Sequence, residues 1–191
     1  MMPTVIKVGG GLLGVPGALA RVCAAVATLG RRHPVVVVPG GGPLADAVRT
    51  LDARVGLSPG AAHWMAVLAM DQYAHLLAER IEGGRLVEDP GAIAGALAAG
   101  EVAVLAPSRW LRAADPLPHS WDATSDSVAA FVAGALDADR LVLVKPVEVG
   151  EAGVDRCFVA VAPAGLEVSV LGWERFCAGF PPVTPPSRRS G

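Results

Sequence analysis

Val5-Ile6-Lys7-Val8-Gly9-Gly10-Gly11 decides how the rest of the chain is read. An apolar run with β-branched residues makes a buried strand, and the glycines after it let the backbone turn sharply with no Cβ in the way. A turn of this kind can aim its N–H groups at a phosphate. Lys7 stands one residue before the end of the run, within reach of those N–H groups if the pleat points it toward the strand's C-terminal mouth. A second run, Val35-Val36-Val37-Val38, ends in Pro39-Gly40-Gly41-Gly42-Pro43 and leads into Leu44-Ala45-Asp46-Ala47-Val48, a helix by its pattern. Either glycine turn alone is explained as well by tight packing as by a ligand, and neither carries the Gly-Lys-Ser/Thr or spaced-glycine signature of a nucleotide loop. Together, with a lysine in the first, they favour a phosphoryl group held between Gly9, Gly10 and Gly11 on one side and Gly40, Gly41 and Gly42 on the other, with helix N-termini adding partial positive charge.

At 191 residues the chain suits one sizeable domain. The 52% hydrophobic content comes from Ala, Val and Leu with few aromatics, as buried strands covered by helices require. No apolar run is long enough to span a membrane and no leader pattern is visible, so a soluble, cytoplasmic protein without membrane contact is expected. With 16 basic and 18 acidic residues the formal charge is −2, which argues against a nucleic-acid surface. Cys23, Cys157 and Cys177 match neither a zinc spacing nor a disulfide framework, and no metal-binding side chains are assigned. Arginine outnumbers lysine heavily: only Lys7 and Lys145 are lysines, and each ends an apolar run. A compact charge aimed at one phosphoryl oxygen is the role in which Arg replaces Lys poorly.

Along the chain, Pro16 to Leu29 reads as a helix ended by Gly30, and the helix after Gly42 runs to about Val55. Gly56 to Gly60 breaks it, and a longer helix follows from about Ala61 to Ile81, with Trp64, Val67, Leu68, Leu76, Leu77 and Ile81 as its core face. His63, Asp71, Gln72 and His75 lie along this helix; Asp71 and His75, one turn apart, ordinarily make a solvated surface contact. Gly83-Gly84-Arg85 reads as a loop, Asp89 as the N-cap of a short helix to about Ala98, and Val102 to Ala106 as a strand. Pro107 to Trp121 has the mixed Pro, Trp and polar composition of a functional loop on a rigid scaffold.

His119-Ser120-Trp121-Asp122-Ala123-Thr124-Ser125-Asp126-Ser127 is the second concentration of chemistry. Val128, Phe131, Val132 and Leu136 follow at helical spacing, so a helix begins here, and Thr124, Ser125 or Asp126 can cap it. One cap needs one residue; the surplus of acids and hydroxyls around a tryptophan points to a ligand, a lysine or a metal-bound phosphate. Leu141-Val142-Leu143-Val144 is an interior strand that delivers Lys145, and Pro146 stops further pairing. Leu166 to Leu171 reads as a last strand, residues 1–178 as a single domain, and the proline-rich segment 179–191 as a disordered tail.

Strands alternating with helices imply an α/β fold, a three-layer αβα sandwich with a mainly parallel central sheet and its ligand beyond the strands' carboxyl ends. Ile6-Lys7-Val8-Gly9-Gly10, Val38-Pro39-Gly40-Gly41-Gly42, Thr124-Ser125-Asp126-Ser127-Val128-Ala129-Ala130 and Leu141-Val142-Leu143-Val144 resemble, in order, the amino acid kinase superfamily of acetylglutamate, aspartate, carbamate and uridylate kinases. His63-Trp64-Met65-Ala66-Val67, Ala69-Met70-Asp71-Gln72-Tyr73 and Ser120-Trp121-Asp122-Ala123-Thr124-Ser125-Asp126 are similar to its methanofuran-biosynthesis branch, whose kinase phosphorylates (aminomethyl)furanylmethyl phosphate to the diphosphate. The resemblance implies a small-molecule kinase using ATP and Mg2+ by in-line phosphoryl transfer, acting on a small phosphorylated or carboxylated metabolite, while the apolar helices and small size point to a homo-oligomer, a dimer or higher. It implies Lys7, Asp126 and Lys145 as catalytic residues, Asp126 orienting the lysines, and His63, Asp71, Trp121, Asp122 and Ser125 as substrate contacts. The larger kinases carry a second lysine after a Gly-Met turn, and many have Thr or Ser followed by Asp where Lys145 stands. Those departures leave a second implied role, a non-catalytic kinase-like subunit that binds a phosphorylated metabolite or supports a partner chain.

Overall fold

The computed structural model describes residues 2–149 and 153–179. Six strands, β1 (Thr4–Val8), β2 (Val35–Pro39), β3 (Gly84–Val87), β4 (Val102–Leu105), β5 (Arg140–Lys145) and β6 (Glu167–Gly172), form one sheet in the order β3-β4-β2-β1-β5-β6. Every pairing is parallel, so the sheet is wholly rather than mainly parallel. The chain leaves β1 toward β2 and later leaves β5 toward β6 on the other side, so the order reverses between β1 and β5. The crevice above such a reversal is where sheets of this class bind ligands.

The helices are α1 (Ala18–Gly30), α2 (Gly42–Val55), α3 (Pro59–Arg80), α4 (Pro90–Ala98), α5 (Ser108–Ala114), α6 (Ser125–Ala135), α7 (Phe158–Val161) and α8 (Trp173–Ala178), with a 3-10 turn over Gly10–Gly14. Alternation along the strands divides the core in two. Ile6, Val8, Val35, Val37, Val142 and Val144 meet α1, α8 and the C-terminal half of α3 on one face. Val5, Val36, Val38, Leu141 and Leu143 meet α4, α6 and the N-terminal half of α3 on the other. Period two therefore puts Lys7, with Val5, and Lys145, with Leu141 and Leu143, on the α6 face.

Four sequence expectations need correction. Gly84–Val87 is an edge strand, paired to β4, where Gly83-Gly84-Arg85 was expected to be a loop; at four residues, opened by a Gly-Gly pair, it is too short to show alternation. Ser108–Ala114 inside the expected loop is α5. Gly60 lies within α3, which begins at Pro59 because the Ser58 side chain accepts from the Ala61 N–H at 3.2 Å. Leu68 is 42% exposed, and Met70, Tyr73 and Ala74 fill the core positions of α3 instead. The helix from Pro90, capped by Asp89 onto the Ala92 N–H at 2.8 Å, is as expected. The expected tail lies outside the described residues beyond Gly179.

Candidate active site

The centre of the site follows from strand register. Lys7 lies opposite Leu143, so Lys145 emerges one pleat beyond it on the same face of the adjacent strand. Asp126, in the first turn of α6, fits between them: Lys7 Nζ lies 3.0 Å from Oδ1 and Lys145 Nζ donates to Oδ2 at 2.6 Å. All three are largely buried. Burial drives the Lys7 ammonium below its ordinary pKa range, opposed by Asp126 and reinforced by the second cation. Burial alone would raise the Asp126 carboxyl, but the two lysines outweigh it and hold it below the usual range. In direct contact two cations face one carboxylate, with Asp155 a weaker counter-charge on Lys7, and a low-dielectric mouth makes the positive charge left over there attractive to an anion.

A residue the sequence reading passed over holds the carboxylate in place. Asp155, in the connection after β5, accepts from the Thr124 N–H (2.9 Å), Thr124 Oγ1 (2.7 Å), Ser127 N–H (3.0 Å), the Ser127 hydroxyl and the Cys157 N–H (3.0 Å). It satisfies the start of α6, where helical N–H groups have no intrahelical partner and a carboxylate meets the positive end of the helix dipole. The surplus of polar residues at 124–127 is thus partly a capping device, with Asp126 turned the other way onto the lysines. Nothing in the local pattern around Asp155 signals a partner 28 residues upstream.

Both glycine turns lie at the C-terminal ends of adjacent strands, but they touch each other rather than spanning a gap. A Cβ on Gly42, which has φ +52°, would sit 2.8 Å from the Gly10 carbonyl, and one on Gly9 would meet the Val144 carbonyl at 2.6 Å. The N–H groups of Gly9 and Gly40 are committed to the carbonyls of Val144 and Val8 at 3.0 and 2.8 Å. The expected cradle is therefore narrower: Gly9, Gly10, Gly11, Gly41 and Gly42 face a cavity of about 560 Å3, while Gly40 packs beneath them. Lys7 and Lys145 open into the same cavity.

Its far wall comes from α2, α3 and the segment before α6. His63, Trp121 and Ser125 line it, with His119, Arg49 and Asp52. Trp121 Nε1 donates to Asp52 Oδ2 at 2.8 Å, the Leu57 N–H donates to Asp52 Oδ1 at 2.9 Å, and the Arg49 guanidinium covers the indole at 4.7 Å. Burial and the neighbouring His119 lower the His63 pKa. Two expected contacts are elsewhere. Asp71 accepts from the Ser108 N–H at 3.0 Å and so anchors the start of α5, while Asp122 pairs with Arg156 at 3.3 Å on the exposed side. Neither lines the cavity.

Comparison with known proteins agrees with this architecture. A uridylate kinase from Archaeoglobus fulgidus superposes with a TM-score of 0.59 at 19% identity, covering 82% of this chain and 70% of that one. A UMP kinase from Bacillus anthracis gives 0.61 at 13% identity over 94% and 93%. At such identities the likeness is one of fold. The [5-(aminomethyl)furan-3-yl]methyl phosphate kinase of Methanocaldococcus jannaschii is 29% identical over 114 residues, 60% of this chain and 52% of that protein. The matched stretch thus spans about half the length of that relative. The sequence profile of the amino acid kinase family matches residues 2–149, which carry the glycine turns, both lysines and Asp126. The chain belongs to the amino acid kinase family.

Proposed function

We propose that the protein is an ATP-dependent small-molecule kinase whose acceptor is a phosphate monoester of the (aminomethyl)furanylmethyl phosphate type, converted to the diphosphate in methanofuran-type cofactor synthesis. The observation that carries this reading is the excess cation: Lys7 and Lys145 share the single carboxylate of Asp126 at the mouth of a glycine-lined cavity. The similarity to the Methanocaldococcus jannaschii kinase supports the choice of acceptor.

In the transfer, an oxygen of the acceptor phosphate bonds to the γ-phosphorus of ATP as the bond to the β,γ-bridging oxygen breaks, and ADP leaves. Positioning and charge neutralisation do most of the work in such a step. Lys7 neutralises charge on the moving group, and Lys145 steadies the β- and γ-phosphates. Asp126 orients both ammonium groups and is not needed as a base, because an acceptor phosphate is already ionised at neutral pH. The lack of side chains at the glycines that line the cavity would let the phosphates approach the backbone closely. Mg2+ would arrive on the nucleotide: Asp52 is engaged by Trp121 and Leu57, and Asp46 pairs with Arg49 at 2.9 Å. The ion would screen the polyphosphate charge. Leu44, Leu51 and Val55 form an exposed apolar stripe along α2, which supports a homo-oligomer.

Calorimetric titration with Mg-ATP, followed by a transfer assay on furan, amino-acid and nucleotide phosphates, tests the proposal. Binding together with transfer to the furan phosphate is expected. Absence of ATP binding at millimolar concentration would overturn it in favour of a non-catalytic subunit that binds a phosphorylated metabolite.

A further inference from the structure

Where α3 meets the segment after α5 at the cavity wall, three metal-ligating side chains converge. His63 projects from the first turns of α3, and Asp115 and His119 come from the segment that follows α5. One ligand atom from each of the three lies within 4.8 Å of the others. His119 Nε2 and Asp115 Oδ1 are 2.9 Å apart, and the two imidazoles stack with centroids 4.3 Å apart at an interplanar angle of 16°. Among the described residues, no group makes a hydrogen bond to the His63 ring. Trp64 presses edge-on against both imidazoles, at 4.8 and 5.4 Å, and Arg112 covers Trp64 in turn at 4.6 Å, so the pair is backed by a packed shell.

We propose that His63, His119 and Asp115 form a binding site for one transition-metal ion of the zinc class, with its open coordination positions facing the cavity. Zinc lies about 2.0–2.1 Å from imidazole nitrogen and at a similar distance from carboxylate oxygen, so tetrahedral donors sit roughly 3.3 Å from one another. The His119–Asp115 pair, now a hydrogen bond at 2.9 Å, would open by a few tenths of an ångström to reach that spacing, and the two imidazoles would turn out of their parallel stack to aim a nitrogen each at one ion. Two imidazoles and one carboxylate suit zinc, cobalt or nickel, whereas Mg2+ prefers an oxygen shell and keeps its waters. Three protein donors leave room for a further ligand, as in sites that bind or polarise a substrate group. His63 and His119 line the cavity, so that ligand would be a donor atom of whatever occupies its far end. The site is separate from the lysine mouth and does not depend on the kinase reading.

The test is titration of the EDTA-dialysed protein, without nucleotide, with Zn2+ by calorimetry and with Co2+ by visible absorption. One equivalent of Zn2+ is expected to bind in the micromolar range or tighter, and Co2+ to give the ligand-field bands of a low-coordinate nitrogen and oxygen site. His63→Ala, His119→Ala and Asp115→Asn should each weaken binding by about tenfold or more. His75→Ala, on the exposed face of the same helix, and Lys7→Met should leave it unchanged. Absence of stoichiometric Zn2+ binding, or binding that survives His63→Ala and His119→Ala undiminished, would overturn the proposal. Zn2+ binding with no transfer activity would leave this site standing while the kinase reading fell.

Discussion

The lysine end of the cavity and the histidine end are built by different means. Lys7 and Lys145 are placed by two adjacent parallel strands, whose register and alternation admit one arrangement. His63, His119, Trp121 and Asp52 are placed by side chains that reach between α2, α3 and an irregular segment. Strand pairing sets position through backbone bonds insensitive to side-chain identity, so the mouth tolerates change around it but not in the lysines. The far wall holds its shape through single contacts, each of which can be altered alone. In α/β folds this division lets one phosphate-handling mouth serve different acceptors through variation in the surrounding segments.

The largest effect should come from breaking the mouth. Lys7→Met is expected to lower turnover by about 10²–10³, the scale for one preorganised transition-state donor. Unchanged turnover in a steady-state assay would remove Lys7 from the mechanism. The same variant sheds the desolvation cost of a buried cation but also loses its pairing with Asp126, which Lys145 still holds, so its stability near neutral pH should lie close to the parent's. The pH dependence gives the sign. Between the folded and unfolded pKa of Lys7 the unfolded chain binds the extra proton, so the parent gains stability as pH rises toward the ordinary lysine value. In thermal melts, Lys7→Met should therefore lose ground to the parent along that alkaline limb. Asp126 behaves oppositely: its depressed pKa adds stability in full above the ordinary aspartate value, and that contribution is lost as pH falls through the folded-state pKa.

Next in size is the support beneath the mouth. Asp155→Ala removes one carboxylate from five donors at the start of α6. Hydrogen bonds to a charged group and orphaned helix N–H groups together should cost about 3 kcal/mol. For a chain of this size that corresponds to a fall in melting temperature of roughly 6–12 °C. Asp126 loses its fixed aim at the same time, so turnover should fall as well. A melt within a degree or two of the parent would show that water replaces the carboxylate.

What the sequence revealed follows the same division. The strands around Lys7 and Lys145 were legible because continuous β-branched apolar runs, one closed by glycines and the other by Pro146, are local signals, and strand parity then carries both lysines to the helix that begins after Thr124. The roles of Asp52, Asp71 and Asp155 were not legible, because each is set by a partner 31 or more residues away in at least one of its bonds. Asp71 shows the hazard most plainly: the resemblance implied a substrate contact, yet its partner is the backbone of a helix that the composition of 107–121 disguised as loop. The glycines were read correctly as turns and incompletely as a cradle. Backbone contact between Gly10 and Gly42 demands glycine even where no ligand sits.

The far wall supplies the finer contrasts. Trp121→Phe keeps the ring but removes the donor to Asp52, a hydrogen bond to a charged group. Acceptor KM should rise roughly tenfold with kcat nearly unchanged, the pattern of lost uniform binding. A matched fall in kcat would place Trp121 in the transition state and blur the division between the two ends.

Asp71→Ala should have the smallest effect and is the sharpest control. Its carboxylate holds one N–H at the start of α5, an interaction comparable to a helix cap and worth about 1 kcal/mol. Melting temperature should drop by roughly 2–4 °C. KM for ATP and acceptor should stay at the parent value, because the side chain lies outside the cavity wall. Asp115 and His119 follow directly from the end of α5, so any change in acceptor KM would mean that the anchor at Ser108 reaches the histidine end through that short helix. Equal KM values would instead confine the acceptor contacts to the side chains that line the cavity, and would leave Asp71 as a fastener between α3 and α5.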